Sequence, residues 1–208
     1  MTKIYYTCCE RKLSDVVFQY YIDMLPIEIK NKILKFRRWQ DAQASLFGKL
    51  LLINAGEYLS LDIDLTQLKY TPFGRPYLEN NFDFNISHSS QYVVCAISTD
   101  AKIGVDIEKI RPIALLDFKD HFFVEEWNAI INSNDLYHIF YEYWTAKEAI
   151  LKAEGSGLNI SFKERVRKDG KAGLGSTLWY YERLPLFKDC VMDLPSDKKL
   201  KGASIETK

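Results

Sequence analysis

The sequence predicts an α+β fold, and three observations carry that reading. Short apolar, alternating runs recur along the chain, as half-buried strands require. Runs with helical apolar spacing separate them, at about residues 26–58 and 135–153. The order strand, helix, strands occurs twice, once in residues 1–100 and once in residues 101–208, although no repetition is visible in the letters.

The first half opens with a strand over residues 4–7. A long helical region follows at about 26–58, where Leu46, Leu50 and Ile53 keep an apolar stripe. Strands are expected near 68–70, 84–86 and 92–98. The second half begins with a strand over 102–107, then helices near 115–131 and 135–153. Gly155 is a suitable helix terminator. Later strands are expected at about 161–168, 177–183, 190–193 and 203–207, with Asp169-Gly170 as a hairpin signal.

Composition narrows the function classes. The chain has 208 residues, enough for one large domain or two small ones, and 47% hydrophobic residues, which suits a packed core. A formal net charge of zero argues against general nucleic-acid binding. No apolar run is long enough to span a bilayer, so no membrane partner is expected. Met1-Thr2-Lys3-Ile4-Tyr5-Tyr6 has no apolar signal core, so a cytoplasmic location is expected. Cys8, Cys9, Cys95 and Cys190 lack zinc-type spacing and are expected to be reduced, with Cys95 a buried thiol.

Two acidic segments carry the chemistry. In Gly104-Val105-Asp106-Ile107-Glu108 the two carboxylates are two residues apart, so on a strand they share a face. In the segment Trp144 to Lys152, Glu148 and Lys152 are four apart and share a helix face, with Trp144 a further four back. A helix crossing that strand would gather Asp106, Glu108, Glu148 and Lys152. Such crowded carboxylates stay ionised only beside a cation. All-oxygen donors suit Mg²⁺, which shares its sphere with waters and substrate phosphates, and a lysine there acts as a point charge on phosphate. Taken singly, each segment also fits an ordinary solvated face or a surface helix pair. A third segment, Phe84-Asn85-Ile86-Ser87-His88-Ser89, adds hydrogen-bonding groups at a strand entrance that suit phosphate contact.

Taken in order, these three segments resemble the surfactin-type 4′-phosphopantetheinyl transferases. Phe73-Gly74-Arg75-Pro76 resembles the family's Gly-Lys-Pro turn, and Gly155-Ser156-Gly157-Leu158 fits the end of its helix. The resemblance spans about residues 30–158. It implies two α+β lobes related by a pseudo-twofold, divided near residue 100, with the active site in the cleft between them, and a chain complete as a monomer. It implies transfer of the phosphopantetheine arm of coenzyme A to a serine of an acyl or peptidyl carrier protein, releasing adenosine 3′,5′-bisphosphate. Carried over by position, Asp106, Glu108 and Glu148 are implied Mg²⁺ ligands. Glu148, Lys152 and His88 are the implied catalytic groups. Lys32, Arg75, Ser87, His88 and Lys152 are implied to hold coenzyme A, and Glu126 is a weaker choice near the metal. The family commonly has arginine where this chain has Ala44, a role that Lys32, Arg37 or Arg38 would then fill. The alternating charges Lys163, Arg165 and Arg167 are the expected docking face for an acidic carrier. Two alternatives stay open: a Mg²⁺-dependent nucleotide phosphohydrolase using the same carboxylates, and a non-catalytic coenzyme A- or carrier-binding module.

Overall fold

The computed structural model describes residues 1–155, 166–167, 170–174 and 176–207. Strand β1 spans Thr2–Cys8, and two further strands, β4 (Asp83–Ser89) and β5 (Tyr92–Ser98), form a hairpin that turns through Ser90 at φ 56°. With β11 (Ala203–Thr207) they make a four-stranded sheet of order β11-β1-β5-β4. β1 is antiparallel to β5 and parallel to β11. The chain's last strand therefore joins a sheet built otherwise from residues 1–100. Pairing runs from Thr2 with Ala203 to Tyr6 with Thr207, supported by a Lys3–Glu206 ion pair at 3.1 Å.

Three helices follow β1. They are α1 (Asp15–Ile22), α2 (Ile27–Ile33) and α3 (Trp39–Leu59). The expected helical region over 26–58 is thus two helices, broken where Arg38 takes extended angles of φ −96° and ψ 132°. Helix α1 was not expected. It starts at Ser14, whose hydroxyl accepts from the Val17 N–H at 3.3 Å, a normal N-cap. Helix α3 covers one sheet face, packing Leu46, Leu51 and Leu52 against Tyr5, Phe84, Val93 and Cys95. A side chain at Gly48 would put its Cβ 2.8 Å from Ile86, so glycine permits the close approach.

The opposite sheet face packs Ile4, Val94 and Ala96 onto Ile103, Val105 and Ile107. The last of these lies in β6 (Asp106–Lys109), the edge of a five-stranded antiparallel sheet. Its other strands are β7 (Val166–Arg167), β8 (Lys171–Leu174), β9 (Thr177–Arg183) and β10 (Cys190–Ser196), in the order β6-β10-β9-β8-β7. Most of the strand expected at 161–168 lies outside the described residues, including Lys163, Arg165 and the Arg167 side chain. So does Asp169, although β7 and β8 pair antiparallel on either side of it. The strand expected at 102–107 pairs regularly only from Asp106, with Ile103 making a lone bridge to Ser196.

The helix expected over 115–131 is a 3-10 turn at Leu115–His121 and then α4 (Val124–Ile131). Helix α5 spans Leu136–Glu154 and ends on Gly155 at φ 85°, where glycine avoids the Cβ penalty. Its apolar face buries Ala146, Ile150 and Ala153 against Ala172 and Trp179. A small hairpin, β2 (Lys69–Tyr70) with β3 (Pro76–Tyr77), carries Phe73, Gly74 and Arg75 in its loop. Among the described residues no helix is long and apolar enough to cross a membrane, and the four cysteines are free, with Cys95 buried.

Candidate functional site

The site lies where α5 crosses the strand segment that begins at Gly104. A Cβ on Gly104 would stand 2.1 Å from the Ala149 carbonyl oxygen, so only glycine allows this contact between backbones. The crossing brings the α5 side chains of Glu148 and Lys152 over β6. Lys152 Nζ is 2.5 Å from Asp106 Oδ1 and donates to Ser87 Oγ at 2.8 Å. Ser87 in turn donates to Asp106 Oδ1 at 2.8 Å, and Ser89 donates to Glu108 Oε2 at 2.7 Å. Asp106 is only 3% exposed. Its second oxygen, Oδ2, is buried without a hydrogen-bond partner, which is costly for a carboxylate.

The carboxylates perturb one another. Burial and then the Asp106 charge push Glu148 up to about 7, against the pull of Lys152. Burial and Asp106 also raise Glu108, opposed by its Ser89 hydrogen bond and by Lys152 and Arg111. These oxygens fit a hard divalent cation by donor type, and the unpartnered Asp106 oxygen offers it a seat. With Lys152 on Asp106, the group is a lysine–carboxylate cluster and not a closed ligand shell. Among the described residues no three His, Cys, Asp or Glu side chains are gathered tightly enough to hold a metal as they stand.

The raised Glu148 value has a sign that can be checked in the metal-free protein. Between about pH 4.5 and 7 the folded chain holds a proton that the unfolded chain has released, so Glu148 lowers stability progressively as pH rises through that window. Glu148→Gln removes the titration. The Tm of the variant minus that of the parent is expected to be small at pH 5 and clearly positive at pH 8, measured by thermal melts in EDTA.

The other expected residues take varied places. His88 follows Ser87 on β4 and points to the α3 side, its ring reaching solvent. Partial burial and the Lys152 charge hold it below the ordinary histidine value, with Asp41 opposing and Lys49 reinforcing the shift. It is therefore a neutral donor or acceptor at pH 7. Arg75 is already engaged: its guanidinium donates to Asp83 at 2.7 and 2.9 Å, to the Lys152 carbonyl at 2.8 Å and to the Ile103 carbonyl at 3.1 Å. Lys32 is exposed on α2, with its ammonium 3.8 Å from the Tyr70 ring centre. Glu126 is buried, accepts from the Phe123 N–H at the start of α4 and pairs with Lys147 at 2.9 Å. Ala44 is buried in the core under α3. Trp144 stacks on Phe140 and meets Phe118 edge-on, in an aromatic cluster.

Sequence reasoning missed Lys49, whose partly desolvated amine sits close enough to Lys32 to be pushed down by it. It also missed Arg111, which acts on both Glu108 and the Tyr141 hydroxyl. Lys49 lies five residues after Ala44 and Arg111 three after Glu108, and only the folded chain shows which way they face. Two clefts reach the cluster. One of about 350 Å³ is lined by Gly74, Arg75, Asn85, Glu148 and Lys152. A larger one of about 660 Å³ is lined by Arg38, His88, Ser89, Glu108, Lys109 and Arg111.

Acidic and basic groups so arranged lie between a mixed four-stranded sheet and an antiparallel five-stranded one, with clefts on either hand, in an α+β protein. The comparisons give its family. Residues 102–184 match the model of the 4′-phosphopantetheinyl transferase superfamily, and residues 12–100 match that of the 4′-phosphopantetheinyl transferase N-terminal region. The chain is 31% identical over 180 residues to 4′-phosphopantetheinyl transferase Sfp of Bacillus subtilis (strain 168), covering 83% of this chain and 80% of that protein. It is 31% identical over 147 residues to 4′-phosphopantetheinyl transferase gsp of Aneurinibacillus migulanus, covering 69% and 62%. It is 33% identical over 154 residues to the L-aminoadipate-semialdehyde dehydrogenase-phosphopantetheinyl transferase of Mus musculus, covering 65% of this chain and 50% of that protein. The chain belongs to the 4′-phosphopantetheinyl transferase superfamily.

Proposed function

We propose that this chain transfers the 4′-phosphopantetheine arm of coenzyme A to a serine hydroxyl of an apo acyl or peptidyl carrier protein, in the cytoplasm and as a monomer. The observation that supports the reading best is the convergence of Asp106, Glu108, Glu148 and Lys152 at the crossing of α5 and β6. On this reading residues 1–100 and 101–208 are two lobes with the site between them, β11 reaching back to the first.

Asp106, Glu108 and Glu148 would hold Mg²⁺, which when bound supplies neutralising charge to the coenzyme A pyrophosphate. The chain's own groups do the rest. Lys152, now on Asp106, places its ammonium on a pyrophosphate oxygen as negative charge builds on the leaving group. Glu148 takes the proton from the attacking serine, its carboxylate kept ionised by the cation beside it. His88, neutral, donates a hydrogen bond to a nucleotide phosphate. Lys32 and Lys49 add positive charge on that side. Arg75 works by fixing the hairpin onto α5 as much as by its charge, given its four hydrogen bonds. The nucleotide extends from the Gly74–Arg75 cleft to His88 on the border of the larger cleft, and the acidic carrier approaches that larger cleft from outside, where Arg38, Lys109 and Arg111 favour encounter.

The reading is tested by following the nucleotide product. Adenosine 3′,5′-bisphosphate is expected only when apo carrier is present, in step with carrier modified. Nucleotide or phosphate release without carrier would identify a phosphohydrolase instead. Coenzyme A binding with no release under any condition would identify a binding module.

A further inference from the structure

Strands β4 and β6 lie side by side but share no backbone ladder, since each is the edge of its own sheet. Every second residue of β4 bridges the gap with a side-chain oxygen. Asp83 Oδ2 accepts from the Ile103 N–H at 2.8 Å, and Asn85 Oδ1 from the Val105 N–H at 3.1 Å. Ser87 Oγ accepts from the Ile107 N–H at 3.3 Å, and Ser89 Oγ from the Lys109 N–H at 3.1 Å. Each acceptor is twenty residues before its donor, and the two strands keep step throughout. Antiparallel pairing of β6 with β10 leaves alternate N–H groups facing outward, and buried N–H groups need partners. The ladder supplies them.

Ser87 and Ser89 each do two things at once. A hydroxyl has one proton to give and two lone pairs to receive with. Ser89 receives the Lys109 N–H and gives its proton to Glu108. Ser87 receives both the Ile107 N–H and Lys152, and gives its proton to Asp106. The same rung thus fixes the backbone of β6 and the orientation of the carboxylate next to it.

We propose that Ser89 is a positioning residue that orients Glu108 for the divalent cation by clamping the Lys109 N–H and the Glu108 carboxylate with one hydroxyl. The inference rests on the proposed role of Glu108 as a metal ligand. It does not require Ser89 to touch coenzyme A or the carrier. Outer hydrogen bonds of this kind are worth about 10- to 100-fold in metal affinity.

The test measures Mn²⁺ binding by the full chain with coenzyme A present, by electron paramagnetic resonance of free Mn²⁺. Carrier modification is measured separately. Ser89→Ala is expected to weaken Mn²⁺ binding by about 10-fold or more. Ser89→Thr keeps the hydroxyl and is expected to restore most of it. In turnover, Ser89→Ala raises the Mg²⁺ concentration for half-maximal rate, with little change in the KM for carrier. Should Ser89→Ala fail to fold, Ser89→Cys, of similar size and a weak donor, is expected to fall between the alanine and threonine variants. Mn²⁺ binding by folded Ser89→Ala equal to the parent's would overturn the inference. So would a threonine variant as weak as the alanine one. A parent that binds no Mn²⁺ would overturn the site reading itself, before any variant is made. A parent that binds Mn²⁺ but modifies no carrier would overturn the transferase reading alone, while Ser89→Ala binding still decides the role of Ser89.

Discussion

Asp106→Asn is expected to lower carrier modification by at least about 100-fold, the scale of losing one well-placed electrostatic group in an active site. Asp106 holds the cluster together. It is buried, it receives Lys152 and Ser87 on one oxygen, and its other oxygen has no partner. Asparagine has the same shape, so the Gly104 contact and the β6–β10 pairing are retained. It removes the charge that balances Lys152 and the oxygen pair that a cation would share. The chemistry should therefore suffer more than the fold. Turnover within a few-fold of the parent at saturating Mg²⁺ would contradict this. So would unfolding at room temperature, which would show Asp106 to be chiefly a structural partner of Lys152.

The second large effect is on stability. Gly104→Ala would set a methyl group 2.1 Å from the Ala149 carbonyl oxygen, 2.8 Å from the Ala153 nitrogen and 2.9 Å from the Ala153 Cβ. Two of the three obstacles are helix backbone, which has no rotamer to change. Overpacking in a core costs about 1–3 kcal/mol, occasionally more, and this contact belongs at the upper end. At about 2–4 °C per kcal/mol for a chain of this size, Tm should fall by roughly 6 °C or more. Activity should fall further than stability alone explains, because pushing α5 from β6 separates Glu148 and Lys152 from Asp106. A Tm within about 2 °C of the parent, inside the spread of ordinary surface substitutions, would show that the helix does not rest on this glycine as described.

The acidic core of the site was legible because its logic is local. Two-residue spacing on a strand and four-residue spacing on a helix decide which side chains share a face. Gly155 marked the helix end, whereas the close approach at Gly104 emerged only from the fold. What the letters hid depends on distant contacts. The break between α2 and α3 falls in Leu34-Lys35-Phe36-Arg37-Arg38, which contains neither proline nor glycine. Helix α1 exposes Val16 at 80% and Tyr20 at 62%, so its apolar letters do not trace a buried face. The parallel pairing of β11 with β1 joins residues some two hundred apart. The side-chain ladder was the least visible feature, although a signal for it exists. Asp83, Asn85, Ser87 and Ser89 alternate with Phe84, Ile86 and His88, and the apolar Phe84 and Ile86 make this read as one buried and one wet face. Asn85 and Ser87 are nevertheless buried, at 3% exposure each, because the polar face serves the neighbouring strand. Arg75 illustrates the same point: its charge was readable, but its commitment to Asp83 and to two backbone carbonyls was not.

The central claim is tested most directly by intact-mass spectrometry of an apo acyl carrier protein incubated with this chain, coenzyme A and Mg²⁺. Parallel samples contain EDTA or the Glu148→Gln variant. The expected result is a carrier mass gain of one phosphopantetheine arm, abolished by EDTA and strongly reduced in the variant. An unchanged carrier mass across fatty-acid, polyketide and nonribosomal-peptide carriers would contradict the account, as would a gain that persists in EDTA.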